Sequence, residues 1–124
     1  MSTNQNPDIV IQGTHGAENP EKANLPFIIG NVAATADQDV TVFLTSDAVW
    51  LATRGFADEL EFGGHPPVGK MIATFMENGG TVWVCGACTG PREIEGDDLI
   101  DGVTVVTAAN ITEALVNGAK TLSF

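Results

Sequence analysis

The sequence predicts an α/β protein, a three-layer α/β/α sandwich with a mainly parallel five-stranded sheet. Short β-branched runs alternate along the chain with segments of helical periodicity. The run at residues 40–45 is apolar on both faces, which is typical of an interior parallel strand that helices cover on both sides. With 124 residues, of which 44% are hydrophobic, the chain is long enough for one core and too short for two domains.

The first predicted unit is a strand followed by a helix. Residues 9–11 are β-branched, and the loop at residues 13–16 begins and ends with glycine. The Asn-Pro-Glu run at residues 19–21 supplies an N-cap, a proline at the first helical position and an acid in the first turn, which indicates a helix start. Pro26 and Gly30 lie inside this helix and should bend or weaken it.

The middle of the chain holds the second strand and the clearest helix. After the strand, Ser46 and Asp47 are expected to cap a short helical run at residues 48–52. Across residues 68–76, apolar side chains fall at positions i, i+3, i+4, i+7 and i+8. This spacing predicts an amphipathic helix, and the Asn-Gly-Gly sequence that follows ends it.

The last third of the chain predicts three more strands and one more helix. Residues 81–85 form the third strand, and the acidic segment 93–101 should be a solvated loop with a short helix. Residues 103–107 form the fourth strand. A capping box over residues 110–113, with Asn in place of Ser or Thr, should open the last helix. Residues 120–124 form a fifth strand at the sheet edge.

Charge and segment lengths limit the classes of function. Five basic residues against sixteen acidic ones give a net charge of −11, which disfavours binding to nucleic acid or to anionic membranes. No apolar stretch approaches the roughly 18 residues of a spanning helix. The first residues lack the features of a secretory signal. We expect a soluble cytoplasmic protein with a disordered or extended N-terminal tail at residues 1–7 and a single domain at residues 8–124.

The two cysteines, Cys85 and Cys88, are the strongest candidates for chemistry. They form a C-x-x-C sequence at the carboxyl end of the third strand, where reactive groups collect in parallel sheets. Two cysteines are too few for a disulfide scaffold, and these two are too close in sequence to close a loop that would stabilise much. Amide groups of a helical turn after Gly86, together with the nearby Arg92, would stabilise a thiolate at Cys85. We therefore interpret the pair as functional.

Several uses of this pair stay open at the level of the residues. A thioredoxin-like dithiol would open the first helix of its fold, whereas this pair lies two-thirds of the way along the chain. The thioredoxin fold is therefore excluded, but dithiol chemistry stays possible. A zinc site would need two further ligands, and His15 and His65 are the only histidines. The remaining uses are a persulfide carrier and a structural role as two small buried hydrophobes.

Other residues favour structural roles. We interpret the loop at residues 13–16 as a turn and His15 as a solvated loop histidine, and we assign Asp47 to helix capping. The large aromatic side chains are expected in the core or at an interface; they are Trp50, Trp83, Phe56 and Phe62.

The ordered segments resemble the DsrE/DsrF-like (YchN-like, Tus-related) sulfur-relay family over nearly the whole chain. The most specific likeness is Cys85 at the end of the third strand, followed by Cys88 and Arg92 and then by a Leu-Ile-x-Gly-Val element at residues 99–103. Glu93 stands where glycine is common in the family. The likeness also covers the strands, the helix starts and the terminal Leu-Ser-Phe.

The resemblance implies a five-stranded parallel α/β/α domain that assembles into trimers or hexamers. It implies a sulfurtransferase role in which Cys85 receives sulfane sulfur as a persulfide and passes it on. Cys88 matches the second cysteine of the C-x-x-C subgroup, and Arg92 matches the family's arginine. The implied partners are sulfur donor and acceptor proteins or small thiols, with no cofactor and no metal. The alternatives are an oligomeric binding or scaffold module with structural cysteines, and a dithiol redox protein.

Overall fold

The β-branched runs form one sheet in the computed structural model, which describes residues 6–124. The strands are β1 (Ile9–Gly13), β2 (Val40–Leu44), β3 (Thr81–Cys85), β4 (Thr104–Val106) and β5 (Lys120–Ser123). Their order is β4-β3-β2-β1-β5, and each neighbouring pair is parallel. The predicted five-stranded α/β architecture is confirmed, with β5 at one edge as expected and β4 at the other.

Helices fill the connections between these strands. They are α1 (Pro20–Thr35), α2 (Val68–Glu77), α3 (Gly86–Thr89) and α4 (Ala108–Val116), with two 3₁₀ helices at Ser46–Ala52 and Gly96–Asp98. The amphipathic pattern of residues 68–76 therefore becomes a helix with its predicted bounds extended by one residue. The acidic segment contains the expected short helix, the second of the two 3₁₀ helices.

The first long helix begins where the sequence indicates but is not interrupted. The Asn19 side chain accepts the N–H of Lys22 at 3.1 Å, which confirms the predicted cap. The helix then continues through Pro26 and Gly30. A methyl group built on Gly30 would lie 3.0 Å from the Phe75 ring. The glycine therefore lets α1 approach α2 closely, so close packing replaces the expected weakening.

The last helix begins one turn earlier than its predicted capping box. The observed box joins Thr107 to Asn110, whose side-chain oxygen accepts the Thr107 backbone N–H at 2.9 Å. The prediction placed Asn110 at the N-cap and is wrong. Asn110 is the third residue of α4, because Thr107 supplies the hydroxyl that a capping box ordinarily uses.

The main core lies between the sheet and the first two long helices. Alternate strand residues on this face are fully buried, among them Ile11, Val42 and Val82. Phe27 of α1 and Phe75 of α2 meet edge to face above them, with ring centroids 5.9 Å apart. This face holds most of the buried apolar surface, which is the main stabilising contribution to the fold.

The opposite face of the sheet is covered less completely. Trp83 is fully buried there, which confirms its predicted core position. Beside α4, an open cavity of about 280 Å³ remains between the helix and β1, β2 and β5. Leu115 and Val116 of α4 are exposed large apolar side chains. Val105 of β4 and Leu122 of β5 are also exposed, and they lie on the edge strands in register with Val84 and Ile11 of the main-core face.

Within residues 6–124, no helix has the length and apolar character needed to cross a membrane. Of the N-terminal tail predicted at residues 1–7, residues 1–5 lie outside the described part of the chain. Pro7 is buried, and the Asp8 N–H donates to the carbonyl oxygen of Asp39 at 2.9 Å.

Candidate functional site

Three loops meet at the carboxyl edge of the sheet. They follow β1, β2 and β3, and they contain residues 13–16, residues 45–47 and residues 85–92 respectively. The Thr45 N–H donates to the Gly13 carbonyl oxygen at 2.9 Å and so joins the first two loops. Because all three strands are parallel, their loops necessarily share this edge, which is where ligand and reactive groups collect in open α/β sheets.

Cys85 is the last residue of β3 and the N-cap of α3. It is half-buried and pairs in register with Val106 of β4. Alternation along the strand places it on the same face as Trp83. The predicted helical turn after Cys85 is present. At its first residue, Gly86, an added methyl would lie 3.3 Å from the Val106 carbonyl oxygen, so the glycine accommodates the neighbouring strand.

Cys88 reaches across to the loop after β2. Its Sγ accepts the backbone N–H of Ser46 at 3.2 Å. Ser46 has a φ of 54°, in the left-handed region that a non-glycine residue rarely adopts. Both cysteines are free thiols of intermediate exposure. The Ser46 N–H is therefore a hydrogen-bond donor at the Cys88 sulfur.

Arg92 joins the second and third loops. Its Nη2 and Nε donate to Oδ1 of Asp47 at 2.9 and 3.2 Å, and its Nη1 donates to the carbonyl oxygen of Cys88 at 3.1 Å. The guanidinium that was expected to stabilise Cys85 is thus paired with a carboxylate and holds the backbone of the other cysteine. Cys85, Cys88 and Arg92 do share one edge, and the roles assigned to them remain predictions.

Asp47 differs from its predicted role. The 3₁₀ helix Ser46–Ala52 has Thr45 at its N-cap, and no side chain caps it. The assignment of Ser46 and Asp47 to capping is therefore wrong. The Asp47 carboxylate binds Arg92 instead, because Ser46 turns the chain into the left-handed region and directs the next side chain towards the loop after β3.

Glu93 has a φ of 56° directly after Arg92. The sequence resemblance led us to expect glycine here, the residue that reaches this conformation without a Cβ penalty. Glu93 adopts the left-handed conformation all the same. Its backbone N–H donates to the Gly90 carbonyl oxygen at 3.0 Å.

His15 is not simply solvated. Its Nδ1 lies 2.8 Å from Oε2 of Glu18, and its side chain is 31% exposed. Oε1 of the same carboxylate accepts the Gly16 N–H at 2.8 Å. Burial alone raises the pKa of Glu18, but the hydrogen bonds from Gly16 and His15 outweigh it and hold that pKa below its ordinary value.

The first loop packs closely on the second. A methyl group added to Gly16 would lie 2.6 Å from the Asp47 carbonyl oxygen, so only glycine fits here. Beyond this contact, Trp50 and Phe56 stack with ring centroids 6.0 Å apart and line a shallow cavity of about 270 Å³ beside Glu18 and Asp47. Phe56 and Phe62 are 39% and 44% exposed, and His65 is also exposed.

The described residues contain no group of three or more His, Cys, Asp or Glu side chains that could hold a metal ion. The two histidines do not join the cysteine pair: His15 pairs with Glu18, and His65 lies in the exposed segment before α2. The nucleophilic groups that these loops bring to the sheet edge are the two free thiols.

Two site features were not predicted from the sequence. The sequence contains a weak indication of the Asp47–Arg92 pair. An acid follows the second strand and an arginine follows the third, in a chain with only five basic residues. The Ser46 N–H had no signal, because serine rarely adopts positive φ and a backbone donor leaves no mark in the sequence.

The comparisons with known proteins match nearly the whole chain. A model of the DsrE/DsrF-like family matches residues 8–124. The "Uncharacterized protein MJ0760" of Methanocaldococcus jannaschii is 28% identical over 101 residues, which are 82% of this chain and 37% of that protein. This chain thus spans little more than a third of that relative's length. The "Uncharacterized protein MK0008" of Methanopyrus kandleri is 29% identical over 101 residues, 81% of this chain and 76% of that protein.

Solved structures share the fold across the same range. The ychN protein of E. coli superposes with a TM-score of 0.80 at 25% identity and covers 95% of this chain and 99% of its own. The protein BT1422 of Bacteroides thetaiotaomicron superposes with a TM-score of 0.71 at 20% identity, over 94% of this chain and 93% of its own. The family match covers the sheet and all three loops of the site, and the chain belongs to the DsrE/DsrF-like family.

Proposed function

We propose that this protein is a sulfur-relay protein that carries sulfane sulfur as a persulfide on Cys85. The observation that carries the proposal is the pair of free, partly exposed thiols at the carboxyl end of β3, one of which accepts a backbone N–H at sulfur. Membership of the DsrE/DsrF-like family supports the same chemistry.

The loading step is an exchange at sulfur. The Cys85 thiolate attacks the outer sulfur of a donor persulfide; a new S–S bond forms, the donor's S–S bond breaks, and the donor leaves as a thiolate. In the delivery step, an acceptor thiolate attacks the outer sulfur on Cys85 and releases the Cys85 thiolate. Both steps conserve electrons, so neither requires a redox cofactor.

Cys88 provides a second outcome for the loaded protein. Its thiolate would attack the inner sulfur of the Cys85 persulfide, which forms the Cys85–Cys88 disulfide and expels hydrosulfide with the bonding electron pair. An external thiol must then reduce the disulfide before the next cycle. The position of both cysteines on one short turn, three residues apart, supports this internal attack.

The proposed partners are a donor persulfide and an acceptor thiol, on proteins or small molecules. With a net charge of −11, the protein favours partner surfaces that are neutral or basic. We also propose that copies of the chain associate as a trimer or hexamer. A cytoplasmic location is part of the proposal, because a carrier thiol must stay reduced between cycles.

Intact-mass spectrometry after incubation with glutathione persulfide tests the proposal. We expect the Cys88→Ser variant to gain the mass of one sulfur atom and the Cys85→Ser variant to gain none. The matched serine substitutions control for the loss of one thiol. If Cys85→Ser keeps the adduct and Cys88→Ser loses it, the two roles are reversed; if neither gains sulfur, the protein is not a carrier.

A dithiol redox role is the second candidate, favoured by the two free thiols three residues apart. It predicts that the wild type forms an internal disulfide with small oxidants while Cys88→Ser takes up no sulfur from a persulfide. A structural role for both cysteines predicts that neither thiol in the native protein reacts with iodoacetamide.

A further inference from the structure

In the turn after β2, a backbone N–H donates to a cysteine sulfur. Ser46 adopts a φ of 54°, and its N–H donates to Cys88 Sγ, 3.2 Å away. A left-handed serine costs conformational energy. Such a cost persists only where surrounding contacts hold the residue in place.

Contacts on both sides hold this turn. On one side, the Thr45 N–H donates to Gly13, and Gly16 packs directly on the Asp47 carbonyl oxygen. On the other side, the Asp47 carboxylate binds Arg92, whose Nη1 donates to the Cys88 carbonyl oxygen at 3.1 Å. The donor and the sulfur are therefore each fixed by the same ion pair.

The charged groups in the loops around Cys88 are held in hydrogen bonds of their own. Asp47 from the loop after β2 and Arg92 from the loop after β3 form an ion pair, and Cys85 precedes Cys88 on its own turn. From the loop after β1, Glu18 is hydrogen-bonded to His15 and Gly16. Among these groups, the Ser46 N–H is the dipole that points at the Cys88 sulfur.

We infer that Ser46 is a positioning residue whose backbone N–H stabilises the thiolate of Cys88, with the Asp47–Arg92 pair holding donor and sulfur in register. This inference rests on the proposed function for its consequence: Cys88 is the thiolate that attacks the Cys85 persulfide and releases hydrosulfide. The N–H contact itself does not depend on sulfur transfer, so the two ideas are tested separately.

The direct test follows the Ser46 amide by ¹H–¹⁵N NMR during a pH titration of the reduced protein, with no sulfur donor present. We expect the Ser46 amide proton to move downfield as Cys88 ionises, since a thiolate is a stronger acceptor than a thiol. This movement should disappear in Cys88→Ala and persist in Cys85→Ala. A Ser46 amide that follows Cys85, or that does not respond to either thiol, overturns the inference.

A second test measures the iodoacetamide alkylation of Cys88 on a Cys85→Ser background. Ser46→Gly keeps the N–H and favours positive φ, so its rate at pH 7 should match that of the parent. Ser46→Pro removes the donor and, because proline cannot adopt a positive φ, also the turn that presents it. The alkylation rate should therefore fall roughly three- to tenfold; the smaller thiolate fraction is partly offset by the higher nucleophilicity of a more basic thiol. Equal rates in the two variants contradict the inference.

The ion pair has a matched control in the same chain. Arg92→Ala should lower the Cys88 alkylation rate and raise the pH of half-maximal alkylation, whereas Arg54→Ala, which removes the exposed Arg54–Asp101 pair, should change neither. Circular dichroism confirms that each variant is folded. If both arginine variants behave alike, the Asp47–Arg92 pair does not position the site.

Discussion

Single residues at this site have backbone conformations that their side chains disfavour. Outside glycine, positive φ occurs at Asp37, Ser46 and Glu93 within the described part of the chain. Two of these three residues lie in the loops around the cysteines. Backbone strain of this kind collects at functional sites because other contacts maintain it. It is also invisible in the sequence, which explains why the Ser46 donor was not predicted.

Replacing Glu93 with glycine should stabilise the protein by about 0.5–1 kcal/mol, because glycine removes the Cβ penalty of the left-handed conformation. Urea unfolding followed by circular dichroism measures this. Glu93→Gln, which removes the same charge but keeps the Cβ, is the control and should stay within about 0.5 kcal/mol of the wild type. Equal effects of the two substitutions would show that charge, rather than backbone strain, matters here.

The Glu18 carboxylate should contribute a small, pH-dependent stabilisation. Its pKa is lowered in the folded protein, so the stabilisation is present above the ordinary value of 4.5 and is lost as the pH falls through the folded-state pKa. The side chain is half-exposed, and the contribution should stay under about 1 kcal/mol. Urea unfolding of the wild type and Glu18→Gln from neutral to acidic pH should show a stability difference that closes in acid; a constant difference contradicts this.

For helices and strands, hydrophobic periodicity predicted the bounds more accurately than capping residues predicted the helix starts. The apolar spacing in α2 and the β-branched runs located the helix and the strands to within one or two residues, because burial determines both. Two of the predicted helix caps were wrong. Thr107 and Asn110 both suit an N-cap, and Thr107 takes the position because it supplies the hydroxyl of the capping box. Asp47 also suits a cap, yet it binds Arg92, which lies 45 residues along the chain.

Gly80 joins α2 to β3 under the tightest constraint in the described core. A methyl group there would lie 2.3 Å from the buried Phe75 ring. Gly80→Ala should therefore destabilise the protein by about 1–3 kcal/mol in urea unfolding, because a fully buried ring cannot move aside freely.

Gly96→Ala is the control for this substitution, since Gly96 has open space around its Cα and no positive φ. It should change stability by less than about 0.5 kcal/mol. A Gly80→Ala variant as stable as Gly96→Ala would mean that the ring repacks at little cost.

For the whole molecule, the sequence predicted the layers and the reactive edge but not the interactions that join the loops. The order of strands and helices implied one edge for all the loops, so the position of Cys85 could be predicted. The Asp47–Arg92 pair and the Gly16 contact depend on distances between separate loops, which local patterns do not encode. The sequence also predicted a core or interface position for Phe56 and Phe62. Both side chains are partly exposed, so the interface role stays a prediction.

Self-association should depend on salt. Each copy has a net charge of −11, so copies repel one another at low ionic strength. The exposed apolar side chains favour association once this repulsion is screened; Val116, for example, is 79% exposed. Light scattering at micromolar concentration should show three or six chains, with the assembled fraction rising as salt is added. A single-chain mass at every salt and protein concentration contradicts the proposed assembly.

The central claim is that Cys85 both accepts and delivers sulfur, and one measurement tests both halves. Reduced Cys88→Ser protein is loaded with glutathione persulfide, freed of the donor by gel filtration and mixed with a small acceptor thiol, while the masses of protein and acceptor are followed over time. We predict that the protein first carries one added sulfur on Cys85, then returns to its starting mass as the acceptor gains a sulfur atom. A protein that never takes up sulfur, or that holds it without delivering it to the thiol, would contradict the claim.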